Sequence, residues 1–288
     1  MIEQYFSQPT SDSQTYNFSF ITITENKKRD EQLITELQKK ILTAYRSQRY
    51  LQRKRRNLNR NQLIDYINKK VIPRDKTNFD LAVRHGDFGE VFASLIIQYI
   101  EKKEFFNKLR WKYNNDKSVF GTDIVAFDNI NNPTEIGYYE IKTRENALKK
   151  EEIEKVKVGK NNKSILDYIT KIAYKSLEND MNSDKESILD FMSRWYEEKD
   201  DLEKSDLFSD IVDGVRTVNK IYSIYIITDI KITKKKYSIL LSSLNSLPIT
   251  INPLNVVFVF IEDIKGLIKE TWSTIASNGA DYIEANSL

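Results

Sequence analysis

Two carboxylates and an ammonium stand at a spacing that can carry out phosphodiester chemistry: Asp123 in Gly121-Thr122-Asp123, with Glu140 and Lys142 in Glu140-Ile141-Lys142. Side chains along a strand repeat every second residue. A strand over 136–144 therefore puts Glu140, Lys142, Tyr138 and Arg144 on one face, and Tyr139 and Ile141 on the other. Residues 118–127 read as a second strand, joined to the first across residues 128–135, a joint rich in turn formers. With Phe127 opposite Ile136 in an antiparallel hairpin, Asp123 falls opposite Glu140, their Cβ atoms about 5 Å apart. Carboxylates that close repel unless a cation lies between them. Hard oxygen ligands select Mg²⁺ or Mn²⁺. Such an ion polarises a scissile phosphate, lowers the pKa of an attacking water and neutralises developing charge. Lys142, on the same face, is placed to orient that water or to stabilise the transition state.

The Glu-x-Lys tripeptide by itself carries little information in a chain this charged. It recurs at Glu25/Lys27, Glu101/Lys103 and Glu197/Lys199. Only the copy at 140 sits in an expected strand behind a second strand bearing Gly-x-Asp. The competing reading is a solvent-facing carboxylate pair with Lys142 salt-bridged to one member. Upstream, Arg84-His85-Gly86-Asp87-Phe88-Gly89-Glu90 opens an expected helix. Glu90 lies beside its apolar stripe and can supply a third metal ligand, or can simply favour the helix dipole from the first turn. Asp87 reads as a cap or first-turn residue, and the lone His85 as structural or exposed.

Those residues need elements to hold them. Alternation over 16–24 predicts a strand. Helical spacing predicts helices over 30–57 and 61–70, with 74–79 as a loop. Phe88, Val91, Phe92, Leu95, Tyr99 and Ile100 form one stripe of a helix over 86–103. Strands are expected at 108–113, 118–127 and 136–144, then helices over 163–218 broken near 182–184. Apolar, β-branched runs at 221–230 and 256–261 read as buried strands, separated by a helix at 234–245 and followed by one at 263–276. This order is a mixed-sheet α/β layout. Residues 1–80 form a mainly helical, basic N-terminal extension and 81–288 the domain that carries the site.

Composition sets bounds on the rest. The chain has no cysteine, which excludes disulfides, thiolate metal sites and cysteine nucleophiles. It has no run of about 18 apolar residues and no apolar leader, so no membrane span is expected and a cytoplasmic location is. The net charge is only +3, but it is unevenly distributed. No acidic residue falls between Leu37 and Ile64, where Arg49, Arg53, Lys54, Arg55 and Arg56 cluster, whereas 184–213 is strongly acidic. The basic stretch reads as a phosphate-binding surface, or as a solvated helix. The acidic stretch reads as an amphipathic helix with a solvated face or a docking surface, and Lys171 and Lys175 share a helix face that can line a substrate groove.

Gly121-Thr122-Asp123 with Glu140-Ile141-Lys142 resembles the signature of the PD-(D/E)xK nucleases, and Gly86-Asp87-Phe88-Gly89-Glu90 resembles their helix-borne Glu. The usual Pro before the Asp is Thr122 here. The whole series, with the chain length and N-terminal extension, is similar to the HamA family of the Hachiman anti-phage system. That resemblance implies a restriction-endonuclease-like core, a mixed central β-sheet flanked by helices. It implies metal binding by Glu90, Asp123 and Glu140, catalysis by Lys142, and cleavage of DNA. It also implies a helicase partner, HamB, in a heterodimer that holds the nuclease inactive until the helicase engages DNA. Arg144 and the basic cluster are the expected DNA contacts. Two other readings share the residues: an inactive nuclease-fold subunit that binds DNA or a helicase, and a housekeeping repair or recombination nuclease.

Overall fold

The structure is a computed structural model, and it describes residues 2–11, 18–106, 108–111, 121–145, 165–181, 188–231, 238, 240, 244 and 249–285. The described strands are β1 (Thr10–Ser11), β2 (Ser19–Thr24), β3 (Glu104–Phe106), β4 (Ile124–Phe127), β5 (Glu135–Arg144), β6 (Asn219–Thr228) and β7 (Leu254–Phe260). They form one sheet in the order β1-β2-β7-β6-β5-β4-β3. β2, β7, β6 and β5 run parallel, and β4 and β3 continue antiparallel from β5. Strands buried on both faces have to be apolar nearly throughout. Ile224 to Ile227 of β6 and Val256 to Val259 of β7 meet that demand at the centre of the sheet.

Alternation divides the core in two. Tyr139, Ile141, Tyr225, Ile227, Val257 and Val259 face a layer built from α1 (Glu31–Tyr45), α4 (Asn78–Tyr99), α8 (Ile264–Ser273) and α9 (Ile275–Ala285). Ile136, Tyr138, Ile224, Ile226, Val256 and Phe258 face α5 (Ile165–Met181), α6 (Ile188–Glu197) and α7 (Leu202–Val212). The expected α/β layout, a mixed sheet flanked by helices, is the one observed. Among the described residues no helix is long and apolar enough to cross a membrane.

Several boundaries differ from the sequence expectation, each for a local reason. The 30–57 helix is two helices, α1 and α2 (Gln48–Arg55), because Arg46 is extended and Ser47 caps the second by accepting from the Tyr50 N–H. α3 (Arg60–Tyr66) follows a capping box of Asn59 and Gln62. The strand expected at 108–113 is displaced. Glu104–Phe106 pairs with Phe127–Val125 instead, and Lys108–Trp111 is a 3₁₀ turn. α4 begins at Asn78 rather than Gly86, since Thr77 and Asp80 form a reciprocal capping box in a segment that reads as loop. The helix expected at 234–245 and the start of the strand expected at 118 lie largely outside the described residues.

The N-terminal segment is part of this unit. β2 lies between β1 and β7 within the sheet, and α4 runs across the 80/81 boundary. Buried Gln38 of α1 donates to the Thr271 carbonyl (2.9 Å) and the Thr274 hydroxyl (2.9 Å), and accepts from Asn278 (2.9 Å). The three contacts tie α1 to α8 and α9.

α4 and β5 approach closely at Gly89. A methyl there would sit 3.2 Å from Thr143 Cβ and would overlap Thr143 Oγ1. Gly89→Ala is expected to destabilise the protein by about 1–3 kcal/mol through overpacking. Thr143→Ala in the same chain should recover part of that loss. Denaturant melts of the three variants check it, and an unperturbed Gly89→Ala would refute the close approach.

Candidate active site

β5 carries the site, and β4 completes it. The hairpin has the expected register, Phe127 opposite Ile136 and Ile124 opposite Tyr139. Asp123 stands one residue before β4, at the end of the ladder. There the Ile141 N–H points towards a strand that has stopped. The Asp123 carboxylate takes the missing carbonyl's place, its Oδ2 accepting from Ile141 N at 2.7 Å. Gly121, with φ +66, adopts the left-handed backbone just before the strand. Glu140 and Lys142 share the β5 face covered by α5, whose Ser176 hydroxyl hydrogen-bonds Glu140. Lys142 Nζ donates to Glu140 Oε1.

The electrostatics follow from burial. Glu140 is 3% exposed. Loss of solvent, and then the neighbouring charge of Asp123, push its carboxyl up to about 7 against the pull of Lys142 and Ser176. Lys142 is half-buried, and the lost solvent works against its charge. Glu140, Asp123 and Glu90 outweigh that effect and hold the ammonium above its ordinary pKa. The ammonium is therefore charged at neutral pH, held by Glu140 of its own strand and by the charges of Asp123 and Glu90.

Glu90 lies in the middle of α4, because the helix starts at Asn78. The first-turn dipole explanation no longer applies to it. It lines the same cavity as Asp123. Among the described residues, however, no three Asp, Glu or His side chains form one metal-ligand cluster. The pair Asp123 and Glu140 is the nucleus of the site, and Glu90 acts on it from the helix on the opposite face of the sheet. Asp87 is likewise mid-helix rather than a cap. It is buried, and it accepts from Tyr45 Oη. That contact holds α1 to α4 next to the site. His85 lies 3.6 Å from Glu145.

The remaining candidates lie elsewhere. Arg49, Arg53 and Arg56 are exposed on or just after α2, and Lys54 and Arg55 are half-buried. Arg46, Arg53 and Lys54 surround the Tyr50 ring at 5.9, 5.9 and 5.7 Å. Arg55 pairs with Glu284 (3.0 Å) and Arg60 with Asp281 (2.7 Å), so part of the basic stretch fastens α2 and α3 to α9. Arg144 ends β5 on the Lys142 face. Lys171 pairs with Asp167 at 3.4 Å and Lys175 is exposed. The acidic segment is α6 and α7, with Phe191 and Trp195 of α6 packed edge-on against Phe106 of β3. Sequence reasoning missed the Ile141 N–H, Ser176 and Tyr45, none of which has a spacing signal.

A family model for HamA matches residues 1–274, from the N-terminal strands through α8. The chain belongs to the HamA family. The family identifies it as a subunit of the Hachiman anti-phage defence system, which has further subunits. No curated protein matches it. The HamA match takes in every residue named at the site, from Glu90 to Lys142.

The raised Glu140 carboxyl has a signed consequence. Its folded pKa, about 7, lies above the ordinary value of 4.5, so the folded state binds the extra proton between them. Stability contributed by Glu140 is present below about pH 4.5 and is lost as pH rises to 7, by at most about 3 kcal/mol. Melting temperatures in EDTA from pH 4.5 to 8 should show wild type losing ground to Glu140→Gln. A constant difference between the two would sink this reading.

Proposed function

We propose that this HamA-family chain is a metal-dependent DNA nuclease of the PD-(D/E)xK type, the effector of its defence system, working with a helicase subunit. The observation that supports this reading best is the buried Glu140 beside the half-buried Asp123, with the charged Lys142 next to them. Two carboxylates on neighbouring strands, one of them short of solvent and raised in proton affinity by the other, make a donor set that a divalent cation would relieve. Asp123 and Glu140 would hold Mg²⁺ or Mn²⁺, with Glu90 contributing from α4. The ion, when bound, polarises the scissile phosphate and acidifies a water.

The protein's own groups do the rest. The Ile141 N–H fixes the Asp123 carboxylate in orientation. Ser176 and Lys142 hold Glu140. The Lys142 ammonium, kept protonated by its three carboxylate neighbours, offers a positive charge and hydrogen-bond donors where negative charge develops on a phosphate oxygen. The exposed Arg49, Arg53 and Arg56, with Lys54, Arg55 and Arg144, supply contacts to the DNA backbone. The absence of cysteine and the DNA substrate fit a cytoplasmic enzyme, bound as a heterodimer to its helicase.

The test is cleavage of linear and circular DNA in Mg²⁺, with and without the co-encoded helicase. Lys142→Ala and Asp123→Ala should each reduce the rate by at least about 100-fold. Cleavage that survives both substitutions would move the active site elsewhere. DNA binding with no cleavage under any of these conditions would make the chain a binding subunit.

A further inference from the structure

A cavity of about 440 Å³ opens beside the candidate site, between α1, α4, the β3 edge, the 3₁₀ turn at Lys108–Trp111 and α6. Glu90, Asp123 and Glu104 form part of its wall, the first two making it continuous with the chemistry proposed above, while Glu104 accepts from the Ile130 N–H at 2.8 Å. The rest of the wall is of a different kind. Arg110 enters from the 3₁₀ turn, with one guanidinium nitrogen donating to the Thr43 carbonyl at 2.9 Å. Its Nε is buried and has no hydrogen-bond partner among the described residues. Burial holds this guanidinium below its ordinary pKa, and no carboxylate among the described residues draws it back. Lys40 lines the same cavity, its Nζ 3.5 Å from the Gln98 side-chain oxygen and 5.6 Å from the centroid of the Tyr99 ring. Phe106 and Trp195 line the same cavity, their rings 6.2 Å apart and edge-on, with Lys199 Nζ 5.6 Å from the centroid of the Trp195 ring.

A half-buried cation with no counter-ion is costly to keep unless an anion completes it. Cations beside aromatic faces are the combination that binds single-stranded nucleic acid, with phosphate on the charges and a base against the rings. The cavity is the size of a small-molecule pocket and admits one nucleotide, not a duplex. We propose that it is a subsite for one unpaired nucleotide of the DNA strand to be cut. Arg110 and Lys40 hold the phosphate, and Phe106 and Trp195 take the base. The subsite makes a single-stranded end or opened region the substrate class, and it rests on the nuclease reading of Asp123, Glu140 and Lys142.

The test uses the full-length chain in EDTA, where cleavage does not interfere. Fluorescence anisotropy measures binding of a labelled 12-mer as single strand and as duplex. Arg110→Ala, Lys40→Ala and Trp195→Leu should each weaken single-strand binding by about tenfold and leave duplex binding within about twofold. Arg110→Lys should lie between. Indole fluorescence should be quenched by dAMP but not by orthophosphate, and Trp195→Leu should abolish the quenching. Equal losses for single strand and duplex, or unchanged single-strand affinity in folded variants, would overturn the subsite. Quenching by orthophosphate as strong as by dAMP would also overturn it, leaving only an anion site. If Arg110→Ala fails to fold, because its tether to Thr43 is lost, Lys40→Ala and Trp195→Leu decide the matter. Cleavage by Lys142→Ala, run in parallel in Mg²⁺, separates the two readings. If Lys142→Ala is inactive while single-strand binding ignores Arg110, the nuclease site stands and the subsite falls. If Lys142→Ala still cuts while Arg110→Ala loses the single strand, the reverse holds.

Discussion

The burial of Glu140 next to Asp123 is the constraint around which this molecule is arranged. A carboxylate under a helix, in a sheet whose other inward side chains are Ile136, Tyr138, Ile224 and Ile226, has given up its water. A second carboxylate beside it makes the charged form harder still to sustain. The structure answers with one ammonium and one hydroxyl, Lys142 and Ser176, which lower the cost without removing it. The remaining imbalance is what a divalent cation, on the proposed reading, would relieve.

Holding that arrangement takes both helical layers. α5 covers the Glu140 face and supplies Ser176. α4 presses on the opposite face through Gly89, close enough that Thr143 touches the helix backbone, and this brings Glu90 to the edge where Asp123 stands. α4 is in turn held by Tyr45 of α1 through Asp87. α1 is bolted by Gln38 to α8 and α9. The N-terminal segment therefore reaches the site through two helix contacts, and it contributes β2 to the sheet as well. The HamA match, which begins at residue 1, fits a unit in which these residues are not an accessory.

The hairpin was readable in the sequence because its information is local. Alternation along 136–144 and a turn-rich joint fix which face each side chain takes, a slip of two residues leaving the faces unchanged, and the observed pairing has Phe127 opposite Ile136. The two central strands were equally plain from their apolar runs. The start of α4 was not, because the cap that sets it is Thr77 with Asp80, and an Asp at that position is a weaker signal than Glu or Gln. β3 was misplaced for a different reason. Glu104-Phe105-Phe106 is too short to show a period, and only pairing with β4 makes it a strand. Arg110 had no signal at all. It matters because of what surrounds it in space, and spacing along the chain cannot show an unpaired charge.

The hydrogen bond from Ile141 N to Asp123 Oδ2 has a further consequence. The carboxylate is a structural acceptor on one side and a candidate ligand on the other, so its rotation about χ2 is set by the sheet before any ion arrives. A cation held there would find the carboxylate already oriented, with the lone pairs that the strand does not use left to it. An asparagine at 123 can keep the strand contact with its carbonyl oxygen, and would then turn an NH₂ towards the cation. Sheet geometry would survive that exchange while the electrostatic sign of the ligand edge reverses. At this position architecture and ion affinity are separable by a single atom.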